Sequence, residues 1–252
     1  MVEPRVTLVM AYYNEEGYIA ETLRSLVAQD DRRFRLVLVD NMSRDRSSTI
    51  ARELLRDVDW LVWEILQEQR QGQLPALRRG LAAAQTPYVA TLDADTWYPP
   101  EYVGRAIGLL DNNPLASAAL AFNVGEDRSR RTGGLKWILS KIWPDKCHAG
   151  GAGHCYRRVM LERAGGLEHA SWPYILFDHE IAQRMRKQGP FVYARNHIIH
   201  ASQRPEGSTA RSWSPFERVV YKLSPATAMD WFFYCFLGPR LHSRGLRTNG
   251  ER

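Results

Sequence analysis

The chain has 252 residues, 44% of them hydrophobic and 25% charged, which suits one domain, or a domain with an appendage, and excludes a disordered or collagen-like chain. A net charge of +6 favours an anionic partner, whether nucleic acid, an acidic membrane or a nucleotide diphosphate, without choosing among them. Three widely spaced cysteines, Cys147, Cys155 and Cys235, make neither a disulfide framework nor a zinc-ligand pattern, so a reducing cytoplasm is expected.

Met1-Val2-Glu3-Pro4-Arg5 leads into a strand without the charged region and long apolar stretch of a signal peptide. No later run reaches the roughly 18 apolar residues of a spanning helix, so a soluble or peripheral chain is expected. Val6 to Met10 is a continuous apolar run, the mark of a strand covered on both faces, and it ends in Ala11-Tyr12-Tyr13-Asn14-Glu15-Glu16. A helix follows from about Glu16 to Ala28, with Ile19, Leu23, Leu26 and Val27 on one face. Leu36 to Val39 is a second buried strand that delivers Asp40-Asn41-Met42-Ser43, and the next helix starts near Ser47-Ser48. Trp60 to Leu66 reads as a third strand, Arg70-Gln71-Gly72 as a turn, Leu74 to Ala84 as a third helix and Tyr88 to Leu92 as a fourth strand. Strand and helix thus alternate with short connections. This predicts an α/β fold with a Rossmann-like, mostly parallel central sheet flanked by helices.

The fourth strand ends in Asp93-Ala94-Asp95. Two carboxylates one residue apart at a strand's C-terminal end can aim hard oxygen donors into one small volume, which suits Mg²⁺ or Mn²⁺ sharing its shell with substrate phosphates. The same pair also suits a plain surface turn. Tyr13-Asn14, Asp40-Asn41 and Asp93-Asp95 all fall at the same sheet edge, where open α/β sheets bind ligands, and together they favour a nucleotide site. Neither a Gly-x-Gly-x-x-Gly turn nor a Gly-x-x-x-x-Gly-Lys-[Ser/Thr] loop is present, which argues against dehydrogenase and P-loop chemistry.

In order and spacing, Tyr13-Asn14-Glu15, Val39-Asp40-Asn41-Met42-Ser43-Arg44-Asp45 and Leu92-Asp93-Ala94-Asp95 resemble the N-terminal half of family 2 glycosyltransferases with the GT-A fold. The resemblance implies that Tyr13 stacks on uracil, that Asp40 and Asn41 read the base, that Asp93 meets ribose or metal, and that Asp95 is the direct metal ligand. Asn41 stands where the family often has Asp; an amide both accepts and donates, so it widens the choice of base. For Tyr13 the alternative is a half-buried core aromatic, and for Asp40 a helix cap.

The second half is expected to supply the acceptor side. A helix over Glu101 to Leu110 and a strand over Ala118 to Phe122 precede a polar, basic, glycine-containing loop from Gly125 to Gly134, whose Arg128, Arg130 and Arg131 either close over phosphates or are simply solvated. Trp137 to Trp143 is an amphipathic or core segment. Ala149-Gly150-Gly151-Ala152-Gly153 and the later Gly165-Gly166 resemble the family's glycine loop and its downstream pair, which places Gly151 and Gly153 beside the donor sugar and diphosphate. Asp178, in Phe177-Asp178-His179-Glu180, takes the place of the family's general base, with Glu180 as fallback and helix capping as the bland alternative. Phe177 replaces the family's usual Glu. After the strand Phe191 to Ala194, His200 fits the register of a further metal or diphosphate contact better than His197.

The resemblance spans about Val6 to Ser202, so a GT-A domain over 1–203 is expected, with a nucleotide half to about 97 and an acceptor half beyond it. Residues 204–252 form a basic, aromatic extension with Trp213, Phe216, Tyr221, the run Met229 to Leu237 and Arg240, Arg244 and Arg247, which suits either a membrane interface or a helix packed on the domain. The expected function is metal-dependent transfer of a sugar, from a UDP-sugar above other nucleotide diphosphate donors, to the hydroxyl of a glycan, lipid-linked or small-molecule acceptor, with inversion. Single addition is expected because the Gln-x-x-Arg-Trp motif and membrane helices of processive relatives are missing. The expected location is the cytoplasm, or the inner face of the membrane. A nucleotidyltransferase and a non-catalytic scaffold are the rivals, and nucleic-acid binding rests on charge alone.

Overall fold

The computed structural model describes residues 2–147, 151–168, 172–202 and 214–246. A seven-stranded sheet is built from β1 (Val6–Tyr12), β2 (Phe34–Asp40), β3 (Val62–Gln67), β4 (Tyr88–Asp93), β6 (Ala118–Leu120), β8 (His154–Arg157) and β9 (Phe191–Val192), in the order β3-β2-β1-β4-β8-β6-β9. A smaller sheet joins β5 (Thr96–Trp97), β10 (Ile198–Ala201) and β7 (Phe122–Asn123) in the order β5-β10-β7. In the large sheet only β8 runs against its neighbours, since β4 and β6 both pair with it antiparallel and the other pairs are parallel. The expected mostly parallel α/β sheet is therefore present.

Period-two alternation explains why the central strands are apolar throughout. Val6, Leu8, Met10 and Tyr12 of β1 enter one core with Leu36 and Leu38 of β2, while Val9, Val37 and Val39 point to the opposite core. Helices α1 (Ile19–Val27), α2 (Ser47–Leu55) and α4 (Tyr102–Asp111) cover the first face through Leu23, Leu26, Leu55, Val103 and Ile107. Helices α3 (Gln73–Ala82), α6 (Arg158–Arg163) and α7 (Phe177–Gln188) cover the second through Leu74, Leu77, Leu161, Ile181 and Met185. Each of these side chains, taken fully out of water, contributes about 1.5–3 kcal/mol.

The single strand expected over Ala118 to Phe122 is divided. β6 stays in the large sheet, the chain turns at Ala121, and β7 enters the small sheet beside β10. Both pieces are apolar because both are buried, so hydrophobicity carries no mark of the change of sheet.

Beyond α5 (Leu135–Ile142), the segment Trp231–Leu237 forms a π-helical turn between α8 (Pro215–Leu223) and α9 (Gly238–Ser243). Phe232, Phe233, Phe236 and Leu237 of that turn form a third core with Trp172, Met229 and Leu241. The apolar run of the extension thus packs inward, and only Trp231 and Cys235 of its ring-rich stretch are exposed. Trp213 and Arg247 lie outside the described residues. No helix among the described residues is long and apolar enough to cross a membrane.

Candidate nucleotide and metal site

Parallel register brings three strand ends to one edge. Tyr12 pairs with Asp40 and Ala11 with Asp93, so the residues after β1, β2 and β4 emerge side by side. The loops after β1 and β2 are laced together. Asn14 N–H donates to Ser43 Oγ at 3.1 Å, Arg44 N–H to Asn14 Oδ1 at 2.8 Å, Glu15 N–H to Ser47 Oγ at 2.7 Å and Glu16 N–H to Asp45 Oδ2 at 2.9 Å. Among the described residues, the non-glycine residues with positive φ are Asn14, Met42 and Leu176. Two lie in this clasp and the third precedes Asp178, so the costly left-handed conformations fall at the candidate site.

Tyr13 is 48% exposed at this edge, whereas Tyr12 before it is buried in the core. Asp40 is buried, and its carboxylate accepts from Ser43 N–H at 2.8 Å, Ser48 Oγ at 2.6 Å and Gln67 Nε2 at 3.2 Å. It therefore organises the β2–α2 turn, and a carboxylate has room for about one further bond.

Asn41 Nδ2 donates to the Glu68 carbonyl at 3.0 Å and the Arg70 carbonyl at 2.7 Å, and its Oδ1 accepts from Gly72 N–H at 2.7 Å. This buried amide closes the turn between β3 and α3, a positioning role that stands beside the base-reading role expected of it.

The Asp93-Ala94-Asp95 turn is held from several sides. Asp93 N–H donates to Tyr98 Oη at 2.9 Å, Thr22 Oγ1 to the Ala94 carbonyl at 2.7 Å and Ser202 N–H to the Asp95 carbonyl at 3.1 Å. Gln73 Nε2 reaches Asp93 Oδ1 at 3.4 Å. β5 then pairs antiparallel with β10, setting His200 opposite Trp97, with their rings 5.2 Å apart. His200 is buried, and its Nδ1–H donates to the Gly125 carbonyl at 2.8 Å. That bond fixes the tautomer and leaves Nε2 with a lone pair, and Nε2 is without a hydrogen-bond partner among the described residues. Burial also holds its pKa below the ordinary histidine value.

A buried neutral imidazole with an orphaned acceptor, two residues in register from an Asp-x-Asp turn, fits a divalent cation. Among the described residues no group of three His, Cys, Asp or Glu side chains is placed to hold a metal ion. His197 is placed elsewhere: it is buried, stacked on Tyr102 at 5.2 Å, with both ring nitrogens unpartnered among the described residues.

The glycine loop connects this turn to Asp178. Thr91 Oγ1 donates to the Gly151 carbonyl at 2.8 Å, and Gly153 N–H donates to the Thr91 carbonyl at 3.0 Å. A Cβ on Gly151 would lie 3.6 Å from Asp178 Cβ, so loop and carboxylate are neighbours. Ala149 and Gly150 lie outside the described residues. Asp178 is half-buried at the start of α7, with His179 Nε2 3.9 Å from its Oδ2. Arg184 grips Glu180 through Nε at 2.8 Å and Nη2 at 2.9 Å, Tyr234 Oη donates to it as well, and it is 1% exposed. Glu180, the fallback base from sequence, is thus a buried, ion-paired anion, and Arg184 also donates to the Gly166 carbonyl at 2.8 Å.

A profile of glycosyl transferase family 2 matches residues 7–186. The chain belongs to that family. An undecaprenyl-phosphate 4-deoxy-4-formamido-L-arabinose transferase of Pseudomonas syringae is 36% identical over 109 residues, which is 42% of this chain and 32% of that protein. An uncharacterised glycosyltransferase of Nostoc sp. is 24% identical over 179 residues, covering 67% of this chain and 55% of its own. The chain thus spans only about a third of the first relative's length. Among solved structures, the mannosyltransferase PcManGT from Pyrobaculum calidifontis, described with GDP-Man and Mn²⁺, superposes with a TM-score of 0.68 at 20% identity, over 96% of this chain and 70% of its own. S. aureus TarS with UDP-GlcNAc gives 0.64 at 18%, over 92% and 71%. These likenesses show a GT-A fold.

Of the residues named from sequence, Asp40 and Asp93 end β2 and β4, His200 lies in β10, Asp178 is in the first turn of α7, and Tyr13, Asp95, Gly151 and Gly153 lie in the loops between elements. Thr91, Tyr98 and Gln73, which fix the carboxylates, were not singled out by sequence. A buried threonine or tyrosine beside a strand reads as core until its hydroxyl partner is seen. Arg128 lies 5.0 Å above the Trp97 ring and pairs with Glu21, so one arginine of the basic loop sits beside the turn.

Proposed function

We propose that this family 2 chain moves a sugar from a nucleotide diphosphate donor, a UDP-sugar, to an acceptor hydroxyl, in single additions and with inversion. The observation that carries the reading is the lone pair of His200 Nε2, buried and unpartnered in register with the strand that leaves Asp95. In this reading Tyr13 stacks on the base, Asp40 meets its polar edge, Asp93 contacts the ribose, and Asp95 with His200 holds Mn²⁺ or Mg²⁺. A divalent cation there offsets the negative charge that develops on the departing diphosphate.

Asp178 takes the proton of the acceptor hydroxyl as its oxygen bonds to the anomeric carbon and the bond from that carbon to the diphosphate oxygen breaks on the opposite face. Gly151 and Gly153 let backbone come close to the sugar. Similarity to undecaprenyl-phosphate 4-deoxy-4-formamido-L-arabinose transferases supports a lipid-linked acceptor.

Calorimetric titration of UDP and GDP, with and without Mn²⁺, tests the site on the full chain and on Asp95→Ala. UDP binding that needs Mn²⁺ and disappears in Asp95→Ala is expected. Tighter GDP than UDP binding reassigns the base, and binding of neither nucleotide in either condition overturns the reading.

A further inference from the structure

Two helices expose apolar stripes that nothing among the described residues covers. On α5, Leu135, Ile138 and Ile142 repeat at i, i+3 and i+7, and Trp143 follows; all four are more than half exposed. On α8, Phe216, Val219 and Leu223 repeat with the same spacing and are again more than half exposed, as is Trp231 beyond them. That spacing puts each triplet on one helix face, which is how an interfacial helix presents its apolar side.

The chain beyond α5 is tied to α8. After α5 the chain turns through Pro144–Lys146, and Lys146 Nζ donates to the Tyr221 carbonyl of α8 at 2.8 Å while lying 4.0 Å above the Tyr221 ring. Phe216 and Trp231 both pack on Phe236, at 6.0 Å and 5.4 Å between ring centroids, which joins Trp231 to the α8 stripe.

Charge decides what covers this surface. Lys136 and Lys141 on α5, and Arg218 and Lys222 on α8, are exposed beside the apolar residues. α5 carries no acidic residue, and the one acid of α8, Glu217, is buried, bonded in its own helix cap and paired with Arg244 at 2.8 Å. The exposed carboxylate of Asp230, next to Trp231, is paired with Lys187 at 2.6 Å. Apolar side chains flanked by these cations complement an anionic lipid headgroup layer, into which long basic side chains reach while their stems stay against the acyl boundary.

We infer that α5 and α8 form one docking face for an anionic membrane surface. Tyr221 of α8 also packs edge-on against His179 at 5.6 Å, and His179 follows Asp178. The docked chain therefore holds the start of α7 next to the leaflet, where a lipid-borne acceptor would present its hydroxyl; that last step rests on the transferase reading, whereas docking does not.

Sedimentation of the full chain with vesicles of equal parts phosphatidylglycerol and phosphatidylcholine, and with pure phosphatidylcholine, tests the face. Binding to the anionic vesicles only, weakened roughly tenfold by Ile142→Asp or Leu223→Asp and abolished by the pair, is expected. A chain that stays in the supernatant, variants that sediment like the parent, or a solution dimer that the same substitutions dissociate each overturn the inference. UDP titration of the same variants separates the two readings: retained nucleotide binding with lost sedimentation reports on this face alone, and vesicle binding without any nucleotide binding removes the transferase reading and leaves docking standing.

Discussion

Thr91 holds the glycine loop at both ends, giving its hydroxyl to the Gly151 carbonyl at 2.8 Å and accepting the Gly153 N–H on its own carbonyl at 3.0 Å. It stands two residues before Asp93, so the strand that aims the carboxylates also sets the loop that borders Asp178. Thr91→Val keeps the side-chain shape and removes one of the two bonds. A stability loss of about 1 kcal/mol in urea unfolding is expected. A larger fall in turnover than in UDP affinity should accompany it; unchanged turnover would mean that the loop keeps its place without the hydroxyl.

Gly153 and Gly151 differ in what they would meet. Gly153 has φ +73, and an added Cβ would lie 3.1 Å from Ile199 Cγ2 and 3.2 Å from Ala121 Cβ, both buried. Gly151 has φ +51, and its Cβ would meet only Asp178 Cβ, at 3.6 Å. Gly153→Ala should therefore lower stability by roughly 1–3 kcal/mol, combining backbone strain with overpacking. Gly151→Ala should cost about 1 kcal/mol for its backbone alone and act mainly on transfer. Paired denaturation curves decide it, and an equal loss in both variants would contradict the assignment.

Asp178 and Glu180 are two residues apart on α7 and should fail in opposite ways. Asp178→Asn removes a proton acceptor and should slow transfer by about 10²–10⁴-fold while UDP titrates as before. Glu180→Gln leaves Arg184 buried without its anion, at a cost of about 3–5 kcal/mol. Its activity per folded molecule should change far less than its melting temperature. A folded, stable and inactive Glu180→Gln would return Glu180 to the list of bases.

The alternation of apolar strands and amphipathic helices made the sheet legible, and the polar tips at Tyr13, Asp40 and Asp93 follow once β1 is central. The part Asn41 plays in tying down the turn after β3 was not legible, because a short amide at a strand end looks the same in sequence whether it faces a ligand or holds a turn. Glu180 was open as a base because its partner Arg184 sits one turn on and its other partner, Tyr234, is far along the chain. The direction of the run Trp231 to Leu237 was equally hidden. It is apolar all round, so no moment says which side is covered. Phe177, an anomaly in sequence, has a packing reason, since it touches both the core beneath the sheet and the core of the extension.

His197 gives the fold an acid limit. Burial pushes its imidazole down to about 3 from 6.5, with Arg105 adding to the fall. The folded chain keeps it neutral while the unfolded chain takes up a proton, so between those values the unfolded state binds more protons. Stability is then lost as pH falls below 6.5, at up to about 1.4 kcal/mol per pH unit from this residue. His197→Phe preserves stacking on Tyr102 and has no nitrogen to satisfy. It should match or exceed the parent at neutral pH and show a shallower acid slope in urea midpoints; an unchanged slope would assign the acid sensitivity to other groups.

Because Phe177 is shared between two cores, the residue next to Asp178 is wedged by side chains that the sheet and the extension each supply. In the proposed reading, where Asp178 is the proton acceptor, the extension is thereby a wall of the reaction centre as well as a surface. A swap of the extension between relatives is then expected to reset the angle of α7 and with it Asp178, whereas a swap of the loops after β1 and β2 is expected to leave α7 where it was.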